Sequence, residues 1–266
     1  MPHVRTALST GPSTIEYLRT GSGPGIVLVH GTGATPEANY SDLIAELKPQ
    51  HTVVAPFLSG SGSTTDSGAP LTAEDLAQQV LAAADDAGLD DFALVGHSLG
   101  ACVAAAASAV ARRRIRSLVL HAGWAKSDPR MVLQFGLWQE LVAASPELLA
   151  RLVLLNAYDT DGSPFQDSQT LDTEVAGFAA LFRPEGIGRQ LHLDQHIDIE
   201  HLLPRVTAPT LIISGASDVV VPPAHQDRMA ELIPHAELIR VQGGHAFPFE
   251  SPDEFIGLVA DFISTP

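Results

Sequence analysis

The sequence predicts an α/β protein: a mostly parallel sheet with helices on both faces and one long helical insertion. Three observations carry that expectation. Short apolar runs at Ile26–Val29, Thr52–Pro56, Phe92–Val95, Ile115–His121 and Thr210–Ser214 read as buried strands, because a strand covered on both faces has no polar side to alternate with. Segments with helix-start signals separate them. From Trp124 to about Leu203 the strand signal disappears, leaving a stretch rich in leucine and aromatic residues with helical character.

In chain order, Ser13–Arg19 alternates and reads as an early edge strand. Ile26–Val29 ends in His30-Gly31-Thr32-Gly33, and a helix is expected from Tyr40 to Leu47. Thr52–Pro56 leads into a Gly/Ser/Thr-rich loop, residues 59–68. Thr72-Ala73-Glu74-Asp75 opens a helix as an approximate capping box, and Gly88 closes it. Within the insertion, Ser145-Pro146-Glu147 supplies an N-cap serine with proline at the first helical position. After Thr210–Ser214 come a helix near 224–233, a strand at Glu237–Val241 and a last helix opened by Ser251-Pro252-Asp253-Glu254. The expected division is a core of residues 1–123 and 204–266 with a helical lid, 124–203, inserted after a strand's carboxyl end, where such sheets bind ligands.

Composition narrows the function. The 266 residues are 45% hydrophobic and 17% charged, as in globular chains. With 31 acidic against 15 basic residues and a net charge of −16, the surface opposes nucleic-acid binding, which needs clustered cations. The one basic run, Arg112-Arg113-Arg114, is expected to complement the end of a helix. Residues 92–111 carry no formal charge, but Gly96, His97, Ser98 and Gly100 interrupt them, so a buried strand and helix explain them better than a membrane span. The lone cysteine, Cys102, reads as a small buried filler. With no secretory h-region at residues 1–6, the expected location is cytoplasmic.

The chemistry centres on Gly96-His97-Ser98-Leu99-Gly100, between the Phe92–Val95 strand and the alanine-rich Ala101–Ala107. Strand, G-x-S-x-G and helix in succession are the context of a nucleophile elbow, with the serine hydroxyl exposed above a helix amino terminus. An N-cap serine on a buried helix is the plainer reading. A serine nucleophile needs a base and an acid to orient it. Asp218 lies in the loop after Thr210–Ser214, and His245 in Gly243-Gly244-His245 after the last strand. Both would emerge at the sheet edge that carries Ser98.

On these residues the chain resembles the α/β-hydrolase superfamily of serine hydrolases. The matching pieces are His30-Gly31-Thr32-Gly33, Gly96-His97-Ser98-Leu99-Gly100, Gly215-Ala216-Ser217-Asp218 with Pro222, and Gly244-His245 with Glu250-Ser251-Pro252. The resemblance implies the α/β-hydrolase fold and a catalytic Ser98, Asp218 and His245. It implies an oxyanion hole of the Thr32 and Leu99 backbone N–H groups, with Gly33 as an alternative donor, and no metal or organic cofactor. Many relatives carry Asp-x-Arg-Gly-x-Gly-x-Ser after the strand that follows the His-Gly motif. Here Phe57 and Ser59 stand in place of the Asp and Arg, which implies a reshaped wall of the site.

Rival assignments are specific. Asp128 is the alternative acid, otherwise a loop residue before Pro129. His97 reads as a packing residue. His192, His196 and His201 among Asp194, Asp198 and Glu200 invite a metal reading, against which a solvated helix face is favoured. Trp124, Phe135 and Trp138 are candidate substrate-pocket residues, with core packing the alternative. The expected activity is hydrolysis of a carboxylic ester or lactone through an acyl-enzyme. A mostly apolar lid with few cations favours a small, neutral, moderately hydrophobic substrate over a polyphosphate-bearing one. A thioesterase, a C–C bond hydrolase, a non-hydrolytic relative or a non-catalytic receptor could use the same scaffold. Oligomeric state is open on the sequence.

Overall fold

The chain enters as a hairpin of β1 (His3–Leu8) and β2 (Gly11–Gly21), in a computed structural model describing residues 1–160 and 162–264. The expected edge strand is therefore an inner one: β1, whose residues alternate between exposed and half-buried, occupies the edge beside it. β3 (Gly25–Val29) follows, then α1 (Pro36–Leu47), which starts four residues before the helix expected from Tyr40. The reason is Thr35-Pro36: the Thr35 hydroxyl accepts the Ala38 N–H at 3.2 Å, and proline at N1 needs no donor.

β4 (Thr52–Pro56) and α2 (Ala73–Asp86) come next. Thr72 caps α2 as expected, accepting from Asp75 N–H at 3.1 Å, but the capping box is not reciprocal. The Asp75 carboxylate instead accepts the backbone N–H and hydroxyl of Ser9, each at 2.7 Å, pinning the β1–β2 turn to α2. β5 (Phe92–His97), α3 (Leu99–Val110) and β6 (Ile115–His121) form the centre. The arginine run does not serve α3 as expected. Arg114 reaches back to the Leu89 and Asp90 carbonyls and to Asp85, closing the connection between α2 and β5.

Between β6 and β7 lie α4 (Pro129–Ala144), α5 (Pro146–Ala157), α6 (Ser168–Leu181) and α7 (Pro184–Asp194). The Ser145 signal is used, with its hydroxyl accepting Leu148 N–H at the start of α5. β7 (Thr210–Gly215), α8 (Pro223–Leu232), β8 (Ala236–Val241), the single turn α9 (Phe247–Glu250) and α10 (Pro252–Ser264) complete the chain.

The sheet order is β1-β2-β4-β3-β5-β6-β7-β8, antiparallel across β1, β2 and β4 and parallel from there on. Burial on both faces follows from the strand period of two. Ile26 and Leu28 of β3 pack with Tyr40, Leu43 and Ile44 of α1 and Val259 of α10, while Val27 and Val29 belong to the core formed with α2 and α3. α3 is buried from Leu99 to Ala109, which its small alanines allow. Cys102 sits there with its thiol toward the Trp124 carbonyl at 3.2 Å, and burial pushes that thiol up. No helix among the described residues is long and apolar enough to cross a membrane.

Candidate active site

Ser98 stands where β5 turns into α3, with φ 56° and ψ −124°, a left-handed conformation that costs a residue with a side chain of order 1–3 kcal/mol. The flanking glycines make the turn feasible. A Cβ on Gly96 would strike the Gly100 carbonyl oxygen, and one on Gly100 would strike that of Val29. The Ser98 N–H donates to the His121 carbonyl at 2.9 Å, fixing the elbow to the end of β6.

The loops after β7 and β8 bring Asp218 and His245 to this point. His245 Nε2 lies 3.1 Å from Ser98 Oγ, and its Nδ1 lies 2.9 Å from Asp218 Oδ2. Asp218 Oδ1 accepts the N–H groups of Val220 and Val221, both at 2.8 Å, so the carboxylate is held at both oxygens and its side chain is 0% exposed. Asp128 is elsewhere: it caps α4 by accepting Met131 N–H at 2.8 Å and lies 3.4 Å from His225 Nε2. His97 stacks on His121 with 5.0 Å between centroids and Nδ1 atoms 2.8 Å apart, and its ring also lies 5.0 Å from that of His245. Burial, and then the neighbouring histidines, hold His97 well below the usual imidazole range, so it packs beside His245 as a neutral ring.

The loop after β3 approaches from the other side; a Cβ on Gly31 would be 3.1 Å from that of Ser98. Asn39 Oδ1 accepts the Gly31 N–H at 2.7 Å, and Gln190 Oε1 accepts the Gly33 N–H at 2.8 Å. That commitment removes Gly33 as the alternative donor and leaves Thr32 N–H between two anchored neighbours. Leu99 opens α3, so its N–H belongs to the unpaired amino end of that helix. The Thr32 hydroxyl donates to Asp194 Oδ2 at 2.7 Å.

Above Ser98 is a cavity of about 470 Å³, walled mainly by apolar side chains of α4 to α7 such as Leu149, Val153, Phe178 and Ile187. Phe135 and Trp138 line it, but Trp124 does not. Trp124 is fully buried behind Phe135, 5.7 Å between centroids, and spends its indole N–H on Ser127 Oγ, so as a pocket residue it is corrected to core packing. The sequence reading also missed Glu174, the one carboxylate among the described lining side chains, along with Tyr158.

The departure at Phe57 and Ser59 has a structural answer. Where relatives carry a charged pair, the neutral amide of Gln79 bridges this loop, accepting Ser59 N–H at 3.0 Å and donating to Ser59 Oγ at 2.6 Å and Ser13 Oγ at 2.9 Å. Phe57 is buried. Of the histidine cluster, His192 and His196 meet at a tilt with ring centroids 4.4 Å apart, while the exposed His201 faces Glu74 at 3.8 Å. No group of three donors able to hold a metal occurs among the described residues.

Residues 24–252 match the sequence model of the α/β hydrolase fold family. The chain belongs to the α/β-hydrolase fold family. This hydrolase is 36% identical over 257 residues to the pyrrolizixenacetamide deacetylase of Xenorhabdus hominickii, covering 96% of this chain and 97% of the relative. It is 29% identical over 240 residues to a pimeloyl-(acyl-carrier protein) methyl ester esterase of Xanthomonas axonopodis pv. citri, covering 86% and 90%. Its fold superposes on a thermophilic esterase from Thermogutta terrifontis with a TM-score of 0.83 at 24% identity, covering 98% and 97%.

One buried group of the hydrolase has a measurable pH signature. Asp194 is fully buried, Oδ1 has no hydrogen-bond partner, and burial pushes its carboxyl up to about 8, partly offset by the Thr32 hydroxyl. The Cys102 thiol of α3, which the Asp194 charge helps to push up, is itself kept neutral by burial. Between an aspartate's ordinary 3.8 and about 8, the folded protein holds a proton that the unfolded chain releases, so this group's contribution to stability falls as pH rises. Asparagine has no such proton. The melting temperature of Asp194→Asn is therefore expected to gain steadily on wild type from pH 5 to 8 and then level off. A constant difference across that range would contradict the assignment.

Proposed function

We propose that this hydrolase cleaves a carboxylic ester or lactone by acyl transfer through Ser98, with residues 124–203 as its lid. The observation that carries the reading is the hydrogen-bonded line from Asp218 through His245 to Ser98 at the floor of an apolar cavity. In the first step, Ser98 Oγ bonds to the substrate carbonyl carbon as His245 Nε2 takes its proton. The carbonyl electron pair moves onto oxygen, facing the Thr32 and Leu99 N–H groups. Collapse breaks the bond to the leaving oxygen, which receives the proton from His245 and departs as an alcohol. Water, deprotonated by His245, repeats the sequence on the acyl-enzyme and releases the acid while Ser98 regains its proton. Asp218 keeps the imidazole in the required tautomer and stabilises its cation.

A second reading, hydrolysis of a small N-acyl amide, is favoured by the deacetylase named at 36% identity. The machinery is the same, with His245 protonating an amine instead of an alkoxide. In either case the apolar walls favour neutral acyl and leaving groups, and the Glu174 carboxylate opposes an anionic substrate. Turnover of aryl esters from acetate to octanoate, beside an N-acetyl arylamide, with intact-mass trapping of the acyl-enzyme, tests the proposal. An acyl adduct on Ser98 is expected. Binding of these compounds with neither adduct nor product would favour a receptor.

Chain-length selectivity is expected to reside in the lid. Trp138 on α4 meets Phe135 edge-on at 5.6 Å and lines the cavity. Trp138→Ala removes a contact with the remote part of a long acyl chain, worth about 1–3 kcal/mol in kcat/KM. Octanoate hydrolysis should then fall by about 10- to 100-fold, and acetate hydrolysis far less. A uniform loss along the series would place Trp138 in the lid core instead.

A further inference from the structure

The helix α7 presents one row of side chains to the loops on the oxyanion side of Ser98. Gln190 and Asp194, one turn apart, are both 0% exposed, although neither residue type is at home in a core. Gln190 Oε1 accepts the Gly33 N–H at 2.8 Å, and its Nε2 donates to the Ser59 carbonyl at 2.9 Å and to Ser61 Oγ at 3.2 Å. Ser61 Oγ in turn donates to the Ala34 carbonyl at 3.0 Å. Asp194 Oδ2 accepts the Thr32 hydroxyl at 2.7 Å. The carbonyl of Asp194 is itself held, accepting Ser127 Oγ at 2.6 Å. Next to Gln190, Arg189 pairs with Asp66 at 3.0 Å and donates to the Ala69 carbonyl at 2.7 Å, tying the residue 59–68 loop to the same helix.

The Thr32 side chain and the peptide N–H that follows it are thus gripped by consecutive turns of one lid helix. We propose that Gln190 and Asp194 are positioning residues: they hold the loop after β3 in the shape that presents the Thr32 N–H to the oxyanion. This rests on the acyl-transfer reading above. It also assigns α7 a different task from the rest of the insertion. While α7 also lends Ile187 to the cavity wall, it stays seated, because lifting it would release Gly33 and Thr32 and leave buried amide and carboxyl groups unpaired. The Thr32 side chain acquires a role as well. A backbone donor alone would be indifferent to it, but here its hydroxyl is the link to α7.

The test follows the rate at which an aryl fluorophosphonate labels Ser98. Serine oxygen bonds to phosphorus, fluoride leaves, and the phosphonyl oxygen must occupy the same donors as a substrate oxyanion. Loss of an oxyanion donor lowers rates by about 10²–10³, so loosening one should slow labelling by about tenfold or more in Gln190→Leu, Asp194→Leu and Thr32→Val. Asp194→Asn keeps the hydrogen bond and is expected to label at close to the wild-type rate, and Thr32→Ser, which also keeps it, is expected to label faster than Thr32→Val. Ester kinetics in the slowed variants should lose kcat with little change in KM, and affinity for a trifluoromethyl ketone should fall in step with kcat. If the leucine variants do not fold, Thr32→Val against Thr32→Ser still decides the matter. Folded Gln190→Leu or Thr32→Val proteins that label at the wild-type rate would overturn the positioning role. A wild-type protein that fails to label at all would overturn the acyl-transfer reading instead.

Discussion

Ser98→Ala is expected to abolish ester turnover, with a loss on the order of 10⁶ in kcat if the three residues act as one unit. The hydroxyl's one hydrogen bond given by the structure is with His245 Nε2, so its removal costs the fold only about 1 kcal/mol. Gly96 and Gly100 keep the close approaches that shape the elbow, and alanine inherits the same φ of 56° with no larger side chain to place. Wild type treated with a fluorophosphonate should gain one phosphonyl mass and the folded alanine variant none. Labelling of both at the same rate would move the nucleophile away from Ser98.

Asp218→Asn carries the second largest effect, about 10⁴ in kcat by analogy with the wrong-tautomer case in a serine protease. The amide oxygen still satisfies the N–H groups of Val220 and Val221, which sets the rotamer and turns the NH₂ group toward His245 Nδ1. His245 must then carry its proton on Nε2, facing Ser98, where it can no longer act as the base. Asp128→Asn should change kcat little, because asparagine is as good an N-cap for α4 and the lost contact is with His225 rather than with the base. Steady-state kinetics on both variants, at matched melting temperatures, separate the two acids. A large loss for Asp128→Asn and a small one for Asp218→Asn would reverse the assignment.

Local chemistry made much of this protein readable. The elbow required a small residue two positions either side of Ser98, and Gly96 and Gly100 announce that requirement in the sequence itself. Continuous apolar runs marked the strands buried on both faces, and Ser145-Pro146 marked a helix start through its cap. The strand β1 was missed because its alternation is weak, one side half-buried and the other in solvent. The start of α1 was placed late because Tyr40, with φ −136°, interrupts the helix after Thr35 and Pro36 have begun it. The arginine run and the Asp75 capping box were misread for one reason: a long or charged side chain chooses among partners that only the folded chain brings near.

The sequence by itself determined the parallel strands of the sheet, the order of Ser98, Asp218 and His245 along the chain, and the loops that carry them. Each depends on periodicity, turn chemistry or a motif within a few residues. Tertiary structure alone decided which aromatic residues line the cavity above Ser98. Phe135 and Trp138 face the cavity and Trp124 lies behind them, although all three are equally hydrophobic. It also decided which polar residues of the insertion hydrogen-bond the loops beside Ser98. Gln190 and Asp194 look like surface positions on a polar helix until α7 is seated on the loops after β3 and β4, more than a hundred residues away in the chain. Hydrogen bonds across such separations depend on how two surfaces meet, and no local pattern in either segment records that meeting.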